Sequence, residues 1–224
     1  ALTDDNIFQH IALGLSQNGL FIEVNKNTEC QTPIHVIYIN TARGVTAFAS
    51  PVNVIRVANN SHLKVVEQYA SLGEAAVITV PASYIHLEDG AGLDYYKISV
   101  ENAATNHICN TSVRVGGSGV FRSHQYLLGS NLTRSNLEVS FTGPGAEAVL
   151  RGVYLGDDNQ HLDVRTYLDH AQPHCSSNQH FRGILNGHSR GVFNGLVLVR
   201  EHAQKTDAQQ SNKNLLLSRD ARVD

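Results

Sequence analysis

Residues 137–142 read LEVSFT, with Leu137, Val139 and Phe141 on one side and Glu138, Ser140 and Thr142 on the other. A period of two with one dry and one wet face describes a β-strand lying on a core. Residues 161–169, HLDVRTYLD, repeat the pattern: Leu162, Val164, Thr166 and Leu168 oppose His161, Asp163, Arg165 and Asp169. Asp163 and Arg165 are therefore expected in water. Four segments set small turn residues ahead of such a strand: NNSHLKVVE (59–67), GAGLDYYKIS (90–99), GSGVFRSHQ (117–125) and GPGAEAVLR (143–151). Their starts lie about 26 to 31 residues apart, a period that marks solenoids. A sandwich would show turn signals every 8 to 12 residues. Turns at that finer spacing also occur, and the longer repeat tips the reading to a solenoid. Residues 34–217 should then be mainly strand, in roughly seven coils.

Only the opening segment reads as helix. Ile7, Phe8, Ile11, Ala12 and Leu15 share a face at 3.6-residue spacing, with Asp4 and Asp5 in the first turn and Gly14 and Gly19 near the end. The period becomes two after Pro33. Residues 1–20 are thus read as an N-terminal helical segment and 21–224 as one strand-built core, since no linker interrupts it. Residues 205–214, KTDAQQSNKN, lack apolar alternation, and Gln209, Gln210, Asn212 and Asn214 are candidates for amide stacking between coils.

The chain has 224 residues, a net charge of −3 and 42% hydrophobic residues. Such a charge gives no bulk attraction to nucleic acid or anionic lipid, and no apolar run approaches the ~20 residues of a membrane span. Cys30, Cys109 and Cys175 are odd in number and far apart, which suits a reducing cytosol and a cytoplasmic location. The sequons at Asn59, Asn110 and Asn131 are expected by chance in a chain this rich in Asn, Ser and Thr. The start at Ala1 and the lack of methionine point to a segment of a longer chain.

Histidine is the chemical outlier. His161, His170, His174, His180 and His188 crowd around Cys175. Imidazole and thiolate are the usual ligands of zinc and iron, so Cys175, His174 and His180 are weak metal candidates. Their spacing matches no common zinc pattern. Strand alternation puts Cys175 inside with Ser177, Phe181 and Leu185, and His174, Asn178, His180 and Arg182 outside. The bland reading, a packed thiol, is the stronger one, and the same holds for Cys109, in phase with Val113 and Val115. Adjacent His174 and Cys175 cannot form a catalytic pair from opposite faces. No catalytic residue is assigned. Gly116, Gly117 and Gly119 miss the G-x-G-x-x-G pattern because position 122 is Arg, and are read as turn glycines needing positive φ.

The run VFNGLVLVREHAQKTDAQQSNKNLLLSRDARVD (192–224), preceded by YLDHAQPHCSSNQHFRGIL (167–185), resembles the SufB/SufD family of iron–sulfur cluster assembly proteins, its SufD branch above all. The resemblance is strong over 160–224 and weaker over 30–160. It implies a right-handed parallel β-helix after a short helix, acting as a non-catalytic scaffold. The implied partners are a SufB-like chain and a SufC-like ATPase, the latter docking on a C-terminal helical part. No cofactor would be bound stably; an iron–sulfur cluster or iron would be held transiently in the full complex. The family's Cys/His cluster-assembly segment would follow Asp224, so no numbered position carries it. Other classes remain open: a β-helix polysaccharide lyase or hydrolase, or a His/Cys metal-binding module. The chain's 7% aromatic content and absence of tryptophan weigh against the sugar enzyme.

Overall fold

The computed structural model describes residues 6–41 and 46–224. A short helix, α1 (Ile7–Leu15), precedes β1 (Gly19–Val24), β2 (Ile34–Asn40) and β3 (Ala47–Ala49). Then come β4 (Val52–Val57), β5 (His62–Ser71), β6 (Val77–Thr79) and β7 (Ala82–Leu87). The middle coils hold β8 (Gly92–Val100), β9 (Asn106–Val115), β10 (Val120–Leu127), β11 (Leu132–Phe141) and β12 (Glu147–Gly156). The last are β13 (His161–His170), β14 (Ser176–Leu185), β15 (Arg190–Val199), β16 (Asp207–Leu216) and β17 (Arg222–Val223).

Every pairing is parallel and links one coil to the next, giving a β-solenoid of about seven turns. One sheet runs β1-β4-β7-β9-β11-β13-β15-β17, with β3 and β6 at its side; the second runs β2-β5-β8-β10-β12-β14-β16. In the second sheet the register steps from Gly92 to Val120, Glu147, Ser176 and Asp207, matching the repeat read in the sequence. Leu137, Val139, Phe141, Leu162, Val164 and Leu168 all lie in the core between the sheets. Burying each such side chain contributes about 1.5–3 kcal/mol, which holds coils together without any disulfide.

The repeat has a backbone cause. Asn27, Asn60, Gly90, Ser118, Gly145, His174 and Lys205 all have positive φ. They stack at one corner, the amide of each coil donating across to the next: Asn60 to Asp89, Gly90 to Gly117, Ser118 to Pro144, Gly145 to Pro173 and His174 to Gln204. One left-handed residue per coil turns the chain into the second sheet, so Asn, Gly and Ser recur there. The expectation for Gly116, Gly117 and Gly119 needs correction, because Ser118 carries the positive φ, at 53°. Gly116 serves close approach instead: a Cβ there would lie 2.7 Å from the carbonyl carbon of Glu88.

Three further expectations are corrected. Asp163 points outward as its phase requires, yet it is only 2% exposed. Arg134 and Arg165 lie over it, with Arg134 Nε 2.8 Å and Arg165 Nε 3.0 Å from its carboxylate, while Arg165 itself is exposed. Strand structure begins before Pro33, at Gly19. The helix buries Ala12 and partly buries Phe8 and Ile11 against Val80 and Ala82, but Ile7 and Leu15 are exposed. Its N-cap is Asn6, whose Oδ1 accepts from the Phe8 amide; Asp4 and Asp5 lie outside the described residues.

Candidate functional site

Inward slots of a solenoid strand are normally apolar, as Leu63 and Val65 of β5 and Leu93 of β8 are. The next inward slots of the same strands hold Glu67 and Tyr69 on β5, and Tyr95 and Lys97 on β8. Glu67 and Lys97 are ladder neighbours, so parallel register alone sets them side by side. Lys97 Nζ lies 3.3 Å from Glu67 Oε1 and donates to Thr111 Oγ1 at 2.9 Å. The hydroxyls of Tyr69, Tyr95 and Ser83 donate to the same carboxylate. Burial opposes the charge on Glu67, but Lys97 and the three hydroxyls outweigh it and hold its pKa below the usual range. Burial opposes Lys97 in turn, and Glu67 outweighs that, keeping the ammonium charged.

A second pair lies alongside. His107 of β9 and Glu101, just past β8, are both fully buried, with His107 Nδ1 2.6 Å from Glu101 Oε2. The contact is an ion pair out of line for a straight hydrogen bond, and neither atom has another hydrogen-bond partner. Glu101 Oε1 accepts from Thr79 and Asn40. Cys109, two residues on from His107 and on the same inward face, lies between the two pairs. Burial works against its thiolate, but Lys97 and then His107 outweigh it and pull the thiol down to about 7. Burial likewise works against charge on His107, and Cys109 and Glu101 raise it to about 9. The interior thus holds an alternating series: Glu101, His107, Cys109, Lys97, Glu67. A cavity of about 160 Å³ lined by Tyr38, Asn40, Tyr69 and Thr79 adjoins it. Chemically this is a buried thiol whose pKa Lys97 and His107 lower, each of those two backed by a carboxylate.

The weak metal candidates Cys175, His174 and His180 are not brought together among the described residues. Cys175 is 1% exposed within the apolar core, its Sγ 3.5 Å from Gly143 O, and burial pushes its thiol up. His174 occupies the left-handed corner position and is exposed. His180 sits on the outer face, its Nδ1 2.9 Å from Ser211 Oγ. His170 turns inward instead, against Phe141 and Ser177. Of the amide candidates, Gln210 accepts from Gln179, while Asn212 and Asn214 accept from Tyr154; Gln209 lies outward beside Asn178.

Glu67, Lys97, Glu101 and His107 were not singled out by sequence reasoning, and Cys109 was read as packing. A signal existed: Glu67 is in phase with Leu63 and Val65, and Lys97 with Leu93 and Tyr95. A charge in the dry phase of a strand demands a buried partner.

The SufBD core domain of the SUF system for FeS cluster assembly matches residues 37–224. The iron–sulfur cluster assembly protein SufD of Escherichia coli is 29% identical over 224 residues, covering 97% of this chain and 52% of the relative. A SufBD family protein of Mycobacterium tuberculosis is 30% identical, covering 92% of this chain and 52% of its own length. SufD of Bacillus subtilis is 23% identical, with 99% and 51% covered. The chain spans about half the length of the curated relatives it matches. A match across five-sixths of the sequence, on the solenoid that carries the strand register, places this chain in the SufBD core-domain family of iron–sulfur cluster assembly proteins.

Proposed function

We propose that this chain is the core of a non-catalytic scaffold subunit of a Suf-type complex, pairing with a SufB-like chain and a SufC-like ATPase. Iron or a nascent iron–sulfur cluster is cargo of that complex, held transiently and not as a resident cofactor. The observation that carries the reading is the family match over 37–224. The β-solenoid supports it by offering long, rigid outer faces on which other chains can sit. Its three cysteines are free, which fits the reducing cytoplasm assigned to it. Among the described residues no helix is long and apolar enough to cross a membrane.

The test is co-purification of the full-length parent, tagged, with a SufB-like chain and a SufC-like ATPase expressed beside it. A stoichiometric three-component complex that assembles clusters, and loses assembly without the parent, is the expected result. A parent that purifies alone, with assembly proceeding unaided, would overturn the reading.

A further inference from the structure

Parallel strands in register line equivalent side chains into columns, and the outer face of the second sheet is organised this way throughout. Leu155, Ile184 and Leu215 are direct ladder neighbours. Leu128 and Val100 continue the line, each one residue past the paired Leu127 and Ser99. All five are solvent-exposed: Val100 39%, Leu128 40%, Leu155 39%, Ile184 38% and Leu215 56%. Strands about 4.8 Å apart give these five residues a span of about 19 Å, equal to about 13 residues of α-helix, and the line runs on through Ala70 to Ile39. Helix α1 does not cover it, because α1 packs on the other sheet beside β7 and β9.

The neighbouring columns carry the cations and aromatic rings of this face, with Ile98 and Val153 among them. Two residues back stand Ile98, Tyr126, Val153, Arg182 and Lys213; two further back stand Tyr96, His124, Arg151 and His180. The Tyr96 ring stacks on His124 at 4.6 Å. Burial first, and the charge of Arg151 next, lower the pKa of His124, as expected on an electropositive surface. The acids of this face, Asp94, Glu147 and Asp207, lie at the margin away from the aliphatic column. Asp94 is already engaged by His62 and Arg122. Asp157, around the corner beyond Gly156, is held by Asn186. A chain of net charge −3 therefore concentrates cations beside this exposed aliphatic line.

We propose that this face docks an amphipathic helix of a partner protein, with aliphatic side chains along Val100–Leu215 and flanking acidic side chains on Arg151, Arg182 and Lys213. The inference goes beyond the assembly role and stands without it. An aliphatic column gives a polyphosphate nothing to bind, which favours a protein occupant over nucleic acid.

The probe is a synthetic 18-residue helical peptide with leucines at i, i+3, i+4 and i+7 and glutamates on one flank, titrated against the full-length protein by fluorescence anisotropy. Binding should weaken about tenfold in Ile184→Ser and in Arg182→Glu. Both side chains lie on the outer face, so the folded state should persist, with the melting temperature lowered only slightly in Ile184→Ser. A peptide with lysines on that flank, or with the leucines scrambled, should bind the unaltered protein about tenfold more weakly. Equal binding of the lysine-flanked peptide would overturn the proposal, whatever the variants do. So would displacement of the peptide by single-stranded oligonucleotide, or self-association of the protein that is lost in Ile184→Ser.

Discussion

Lys97 Nζ stands 3.3 Å from Glu67 Oε1 inside the coil stack, and each side chain is only 2% exposed. Two charges at that depth persist because each is the other's counter-ion and because hydroxyls from three strands complete the carboxylate's shell. Lys97→Met removes the counter-ion and leaves the carboxylate buried alone, so urea unfolding should report a loss of about 3–5 kcal/mol. The double variant Lys97→Met with Glu67→Gln should recover more than half of that loss. Additive losses would mean the two groups do not depend on each other.

The Glu101–His107 pair gives stability a definite pH dependence. Glu101 is held below its ordinary 4.5 and His107 above its ordinary 6.5. The carboxylate's contribution is complete above pH 4.5 and lost as pH falls; the imidazolium's is complete below pH 6.5 and lost as pH rises. Cys109, lowered as Glu101 is, runs against the imidazolium: its contribution is complete above 9.0 and lost on descent through about 7. Urea midpoints of the unaltered protein should therefore fall below pH 4.5, and Glu101→Gln should flatten that limb, whereas His107 and Cys109 oppose each other between pH 6.5 and 9.0. Superimposable profiles would show that the pair contributes nothing.

Cys175 is a packing residue. Cys175→Ser places a hydroxyl among apolar neighbours and should lower stability by about 1–2 kcal/mol. Cluster assembly by the complete complex should persist at permissive temperature. Lost assembly at unchanged melting temperature would make the thiol functional.

Gly152 faces inward, and a Cβ there would stand 2.3 Å from the Phe181 ring. Phe181 in turn packs on Phe193, 5.0 Å between ring centres, which limits its retreat. Gly152→Ala should cost about 1–3 kcal/mol by overpacking, and Phe181→Leu in the same chain should offset part of it. A neutral Gly152→Ala would mean the coil can widen there.

Much of the architecture was legible in the strand alternation and the turn repeat. The apolar set from Leu137 to Leu168 is buried as its phase requires, since a one-residue slip would reverse every side chain. The corner repeat was visible because only some residues tolerate a left-handed backbone. The inward position of Cys175 also followed from phase, and that was enough to separate it from His174 and His180.

What the sequence could not yield is which coils meet and at what register. Whether Asp163 is wet depends on Arg134, a coil away, and on Arg165 folding back over it. Glu67 and Lys97 are thirty positions apart in the chain, and only the ladder of β5 against β8 makes them partners. The thiol of Cys109 is apolar packing by its own strand's pattern. Its pKa is lowered only because β8 brings Lys97 against it and His107 lies two residues back on the same face. Local pattern decides which way a side chain points, because the backbone period does. The charge a buried group carries is set by neighbours across coils, which only the tertiary structure brings together.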